Sequence, residues 1–143
     1  MSQTHFDGPL ASGPKQPGTP GGSNVGLAVL SQAQMINANA ALAVTANFLL
    51  PPNSQIVDII PDTLVAWNGT TAPLSAGIAP GGPTYITALD AKVVGRGAPV
   101  YTAAALLKMA NIGADTTVSV TVTPTGANTV GSTRVTVLYV QTG

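Results

Sequence analysis

Side chains with catalytic or ligating potential are few in this 143-residue chain. The single His, His5, stands in a stretch rich in Pro and Gly. A general base must be held against its substrate by rigid neighbours, and such a stretch supplies none. A Ser/His/Asp triad therefore has no competent base. Cys is absent, which removes thiolate nucleophiles, thiolate metal sites and disulfides. Asp58 and Asp62 lie four apart in a strand-like run, where regular pleating puts both on one face. Paired carboxylates serve glycoside hydrolysis or help to ligate Ca²⁺. Pro61 breaks the pleat between them and no further acid lies nearby, so the plainer expectation is turn and edge residues that discourage strand addition. Asp90 and Lys92 read as an exposed ion pair of little weight. Gly95-Arg96-Gly97 lacks the third Gly and the helix of a dinucleotide site and reads as a turn; no Walker motif occurs. Asn68-Gly69-Thr70 matches a glycosylation sequon but reads first as a hairpin turn. Trp67, the only Trp, is expected to be a core or rim anchor, with a carbohydrate-stacking platform as the sharper alternative. No catalytic residue, metal or cofactor is expected, and the chain is not expected to be an enzyme.

The elements that would carry these residues follow a period of two. Leu42, Val44, Ala46, Phe48 and Leu50 alternate with smaller or polar residues, which predicts a strand ended by Pro51-Pro52-Asn53-Ser54. Residues 55–60 continue as strand, with Ile56, Asp58 and Ile60 on one face and Val57 and Ile59 on the other; Pro61 demotes the run to a bulge or an edge. Further strands are expected over 63–67, 73–79 and 85–94. Thr102 followed by an Ala/Leu-rich run and Gly113 predicts one short helix. Val118, Val120 and Val122 alternate with outward Thr117, Ser119, Thr121 and Thr123, and 132–140 is expected to pair back after a turn at 124–128. Seven to nine short strands predict an all-β fold: an antiparallel, jelly-roll-like β-sandwich over residues 25–143.

Residues 1–24 differ from the rest. They hold five of the 16 Gly and four of the 12 Pro, so neither helix nor ladder is sustained. Two readings stand: a disordered tail, or an extended arm that orders on a partner, with Phe6 and Leu10 as anchors between Pro14, Pro17 and Pro20 on one side and the chain start on the other.

Composition narrows the function classes. Charged residues make up 7%, five basic and five acidic, against roughly 25% in typical soluble domains. Five bases cannot supply the basic stripe that phosphate neutralisation needs, so no nucleic-acid partner is expected. No apolar run approaches 18 residues, so no membrane-spanning helix is expected. The opening MSQTHFDGPL has no basic region leading into an apolar core, so no signal peptide is expected, and the lack of Cys fits synthesis in a reducing cytoplasm. Strand positions facing outward carry Thr, Ser, Asn and Ala instead of Lys and Glu, which leaves two explanations: a marginally soluble free state, or a surface covered in an assembly, the second of which also accounts for the arm.

Several blocks carry a resemblance: Thr4-His5-Phe6-Asp7-Gly8-Pro9, the run from Leu50 to Ile59, Ala66-Trp67-Asn68-Gly69-Thr70, Ala110-Asn111-Ile112-Gly113, and the run from Val120 to Gly126. Together they resemble the decoration, or cement, proteins of tailed-bacteriophage heads. The resemblance implies a jelly-roll-like sandwich on the outer capsid surface of the virion, oligomeric (dimer or trimer), that clamps neighbouring subunits of the major capsid protein and stabilises the mature head. The Pro/Gly arm would then reach across those subunits. An alternative is a phage tail or fibre module that binds a host glycan through Trp67 and the tyrosines.

Overall fold

The structure, a computed structural model, describes residues 28–141. The expected arm, with His5, Phe6, Leu10, Pro14, Pro17 and Pro20, lies outside the described residues. Eight strands and one helix follow in order: β1 (Leu30–Asn37), β2 (Val44–Leu49), β3 (Ser54–Val65), β4 (Pro73–Gly77), β5 (Ile86–Asp90), β6 (Gly95–Arg96), α1 (Ala103–Ala110), β7 (Thr117–Val122) and β8 (Ser132–Gln141). They form two antiparallel sheets, ordered β1-β8-β3-β6 and β2-β7-β4-β5. The pairing is nested: β1 with β8, β2 with β7, β3 with β6 and β4 with β5. Such a chain is one long two-stranded ribbon folded over on itself, which is the jelly roll. The all-β sandwich expected from the sequence is the observed fold.

The core lies between the sheets and follows the period-two pattern. Ala46 and Phe48 of β2, Val118, Val120 and Val122 of β7, and Val135 and Val137 of β8 all point into it. Leu50, just past β2, is buried with them, whereas Leu42 lies before the strand and is exposed. Ser119 and Thr121, on the outward face of β7, are also buried. Thr121 Oγ1 lies 2.8 Å from Thr45 Oγ1 and accepts from the Gly81 N–H at 2.9 Å, so the loop after β4 folds over this face. Gly77 permits that closure, because a Cβ there would strike the backbone of Gly82.

Several local expectations are corrected. Pro61 neither ends β3 nor bulges it; it pairs with Val135 and lies within a 12-residue strand. Its missing N–H falls on the side away from β8, where its carbonyl accepts from Gly97 N at 2.8 Å. The bulges occur instead after Ile56 and after Thr63. The first of these separates Ile56 from Asp58: Ile56 and Ile59 point into the core, while Asp58 and Ile60 are only partly buried. Asn68-Gly69 is no hairpin, since β3 and β4 belong to different sheets. Likewise 132–140 does not pair back on β7, because β8 crosses to the first sheet and lies between β1 and β3. The expected strand over 85–94 shortens to β5 followed by a turn at 91–93, and the turn expected at Gly95-Arg96-Gly97 instead supplies the two residues of β6. The helix falls where expected, with Thr102 Oγ1 accepting from Ala105 N at 3.1 Å as its N-cap and Gly113 at φ +58° beyond its end.

Candidate functional site

The carboxylates singled out in the sequence sit on the outer face of the first sheet. Cross-strand pairing aligns Met35, Arg134, Asp62 and Arg96 in one row over four strands. Arg134 Nη2 donates to Asp62 Oδ2 at 2.7 Å, and Arg96 reaches Asp58 Oδ2 at 3.4 Å. Each carboxylate thus has its own guanidinium. Pleating does place Asp58 and Asp62 on one face, but four residues of strand separate them by roughly 13 Å. That exceeds the ~5–9.5 Å between the carboxyl groups of glycoside hydrolases. Among the described residues no cluster of three or more potential metal ligands occurs.

Asp58 also anchors a closure of the sheet edge. Tyr101 Oη donates to Asp58 Oδ1 at 2.7 Å and accepts from the Ile59 N–H at 3.0 Å. Burial, and then the bond to Asp58, holds the Tyr101 phenol well above its ordinary range. Further along, Ile112 N donates to Ser54 O at 3.1 Å and Asn53 N donates to Gly113 O at 3.0 Å. The segment from Tyr101 through α1 therefore covers the stretch of β3 that the two-residue β6 leaves open, with Ala105 and Met109 as the buried face of the helix.

Trp67 lies in the core and not on the rim. It is 1% exposed, and its Nε1–H donates to Thr133 Oγ1 at 2.9 Å, itself 3.2 Å from Thr63 Oγ1. A buried indole of this kind offers no ring to a glycan. Gly131 is what allows the ring to lie there: a Cβ at that position would fall 2.5–2.9 Å from the indole carbons. The neighbouring Asn68 clasps a distant loop, its Oδ1 accepting from Thr129 N at 2.9 Å and Val130 N at 3.1 Å. Gly69 N donates to Asn128 Oδ1 at 3.2 Å, with Asn128 buried. The Asn-Gly pair thus serves as a seam between the two crossings. Asp90 and Lys92 do not form the expected ion pair: Lys92 Nζ donates to Thr70 O at 3.0 Å, and Asp90 Oδ1 accepts the Lys92 backbone N–H at 2.9 Å.

Several large apolar side chains are exposed beside the polar ones. Val93 and Val94 just before β6, and Val100, Leu106 and Leu107 along the β6–α1 segment, are exposed, with Val100 at 88% and Leu107 at 77% exposure. A second group occupies the opposite margin: Leu30, Met35, Leu42 and Leu49 are exposed around β1 and β2. Between these strands Gln32 Nε2 donates to Leu49 O at 2.8 Å and Gln34 Nε2 donates to Asn47 O, so side-chain amides bridge the two sheets. A shallow cleft of about 470 Å³ opens there, lined by Leu49, Leu50, Pro51, Pro52 and Tyr139 with Gln32 and Thr116. Strand β1 escaped the sequence reading because only Ile36 of its eight residues is buried, so no alternation marks it.

The fold and this surface define an all-β jelly-roll sandwich whose described polar groups are largely engaged internally and whose exposed margins are apolar. No family model, curated protein or solved structure matches the chain.

Proposed function

We propose that the protein is a structural component of a tailed-phage virion, a decoration protein that binds the outer capsid surface and clamps neighbouring major capsid subunits. One observation carries this reading. Large apolar side chains stand in solvent along the β6–α1 segment on a chain with only ten charged residues. A free-standing surface with so little ionic solubilisation is poorly protected against association, whereas charge depletion is usual at the centre of an interface. The sequence blocks that resemble phage decoration proteins point the same way. A jelly roll is itself shared by viral capsid and lectin domains, so the fold is compatible with the reading without selecting it.

The mechanism is passive. Many copies bury apolar area across subunit boundaries, so expansion or rupture of the shell must first separate those contacts. A protein that binds the mature lattice better than its precursor stabilises the mature form by that difference in affinity. Residues 1–24 would extend the contact, with Phe6 and Leu10 as anchors.

Immunogold labelling of the virion that carries the protein is expected to decorate the head surface. Attachment is expected to survive moderate salt, since few charges take part. Labelling confined to the tail, or quantitative release from heads by about 0.5 M NaCl, overturns the reading. Removing residues 1–24 is expected to weaken attachment to heads while leaving the sandwich folded; unchanged occupancy removes the arm from the mechanism.

A further inference from the structure

Four strands bound the two sheets, and three of these margins are closed. At β6 the edge is only two residues long, and Tyr101 with α1 covers the rest of β3. Strand β5 is short, its pairing with β4 is broken by a register shift, and it ends on the exposed acid Asp90. On β2, the outward carbonyls of Asn47 and Leu49 accept from Gln34 and Gln32. Short length, irregular pairing, charge and a covering segment are the usual protections of a sheet edge.

Among the described residues, strand β1 has none of them. It pairs with β8 in one unbroken register from Leu30↔Tyr139 to Asn37↔Ser132. Its sequence, LSQAQMIN, contains no charge, Pro or Gly. Ala38 N donates to Gly131 O at 2.8 Å in continuation of that register. Even-numbered residues of β1 therefore bond to β8, and Ser31, Ala33, Met35 and Asn37 turn their N–H and C=O groups away from it. Among the described residues no main-chain group bonds to these four. Leu30 and Met35 are exposed on the same strand.

We propose that this edge joins two copies of the chain, β1 lying antiparallel to the partner's β1, so that the two first sheets become one continuous eight-stranded sheet. The register that uses all four outward residues places Ser31 opposite Asn37 and Ala33 opposite Met35. The two-fold axis then passes at Gln34, which faces its own copy in the non-hydrogen-bonded position. Self-pairing brings no like charges together, because the strand carries none. The chain's own N-terminal residues are poor occupants. They enter at the Leu30 end, and Pro9, Pro14, Pro17 and Pro20 with the intervening glycines interrupt any ladder they would form. The pairing stands on the edge alone and holds whether or not the protein decorates a capsid.

An eight-residue edge contact is smaller than the roughly 1,600 Å² of a standard interface, so association is expected to be weak and concentration-dependent. Sedimentation velocity of the full chain from about 1 to about 500 μM is expected to show a monomer passing to a dimer. Ala33→Pro removes one outward N–H at an edge position where Pro is tolerated. Met35→Lys places a charge on an exposed site of the strand. Both variants are expected to keep the wild-type circular dichroism and Trp67 emission and to associate at least about tenfold more weakly. Should Ala33→Pro disturb folding, Met35→Lys decides. Because the chain has no Cys, Gln34→Cys is expected to form a single intermolecular disulfide on mild oxidation, and Thr87→Cys on β5 is not. A monomer at every concentration, a closed trimer, self-association indifferent to Met35→Lys, or no crosslink through Gln34→Cys overturns the proposal.

Discussion

Replacing Thr133 by Val tests the polar cluster inside the core. The two side chains have nearly the same volume, so no cavity forms and only hydrogen bonding changes. Thr133 is fully buried; it accepts from Trp67 Nε1 at 2.9 Å and lies 3.2 Å from the hydroxyl of Thr63, which is 5% exposed. The substitution strands an indole N–H in the core, at a cost of about 1–3 kcal/mol, and takes a partner from Thr63, at about 1 kcal/mol more. The sum, roughly 2–4 kcal/mol, is a large share of the 5–15 kcal/mol that holds a typical domain folded. For a domain of this size Tm is expected to fall by roughly 10 °C. The sole Trp is part of the cluster, so urea unfolding followed by its fluorescence reads the effect directly. In a Trp67→Phe background, followed by circular dichroism, the same substitution is expected to cost about 1–2 kcal/mol less, since no N–H is left stranded. A loss below about 0.5 kcal/mol in the wild-type background, or no coupling between the two sites, refutes the argument.

Two further outcomes rest on individual contacts. Tyr101→Phe removes a hydroxyl that donates to Asp58 and accepts from Ile59, and about 1–2 kcal/mol is expected to be lost at pH 7 because the site is partly solvated. The folded state raises the Tyr101 pKa above 10.0, so it retains a proton that the unfolded chain gives up. The contribution is therefore complete below pH 10 and is lost as pH rises above it. Urea midpoints measured from pH 8 to 11 are expected to fall more steeply for the wild type than for the variant; Tyr85, shifted in the same direction by burial and then by Asp115, is common to both. Parallel pH profiles would remove Tyr101 from the account. Gly131→Ala drives a Cβ to within 2.5 Å of a buried ring that cannot move aside, and a loss above about 2 kcal/mol in thermal unfolding is expected. A wild-type Tm in that variant would refute the close packing of Trp67 on Gly131.

The local patterns of the chain were informative wherever one face is buried. Val118, Val120 and Val122, Val135 and Val137, and Ala46 with Phe48 declared their strands by alternation, and Thr102 with Gly113 declared the helix ends, because pleat period and cap chemistry are properties of a few adjacent residues. Periodicity also misled in recognisable ways. The expectation that Ile56, Asp58 and Ile60 share a face assumed an unbroken pleat, and one extra residue at Val57 undid it. Asn68-Gly69 has hairpin chemistry but is used to fasten a crossing between sheets, since its amide finds the 129–130 backbone rather than a returning strand.

By itself, then, the sequence determined an all-β sandwich, its helix, most of its core-facing residues and a chain with only ten charged residues. Tertiary structure decided which strands meet, and with that whether a residue is an edge, a seam or a core anchor. Trp67 became a core residue because β8 brings Thr133 to its indole from 66 positions away. Strand β1 became an edge because β8 pairs with it on one side and, among the described residues, no strand pairs with it on the other. A period of two reports that a face is buried, but every strand offers the same backbone donors and acceptors. Which strand takes them depends on how the whole ribbon folds over, and no short window of residues contains that.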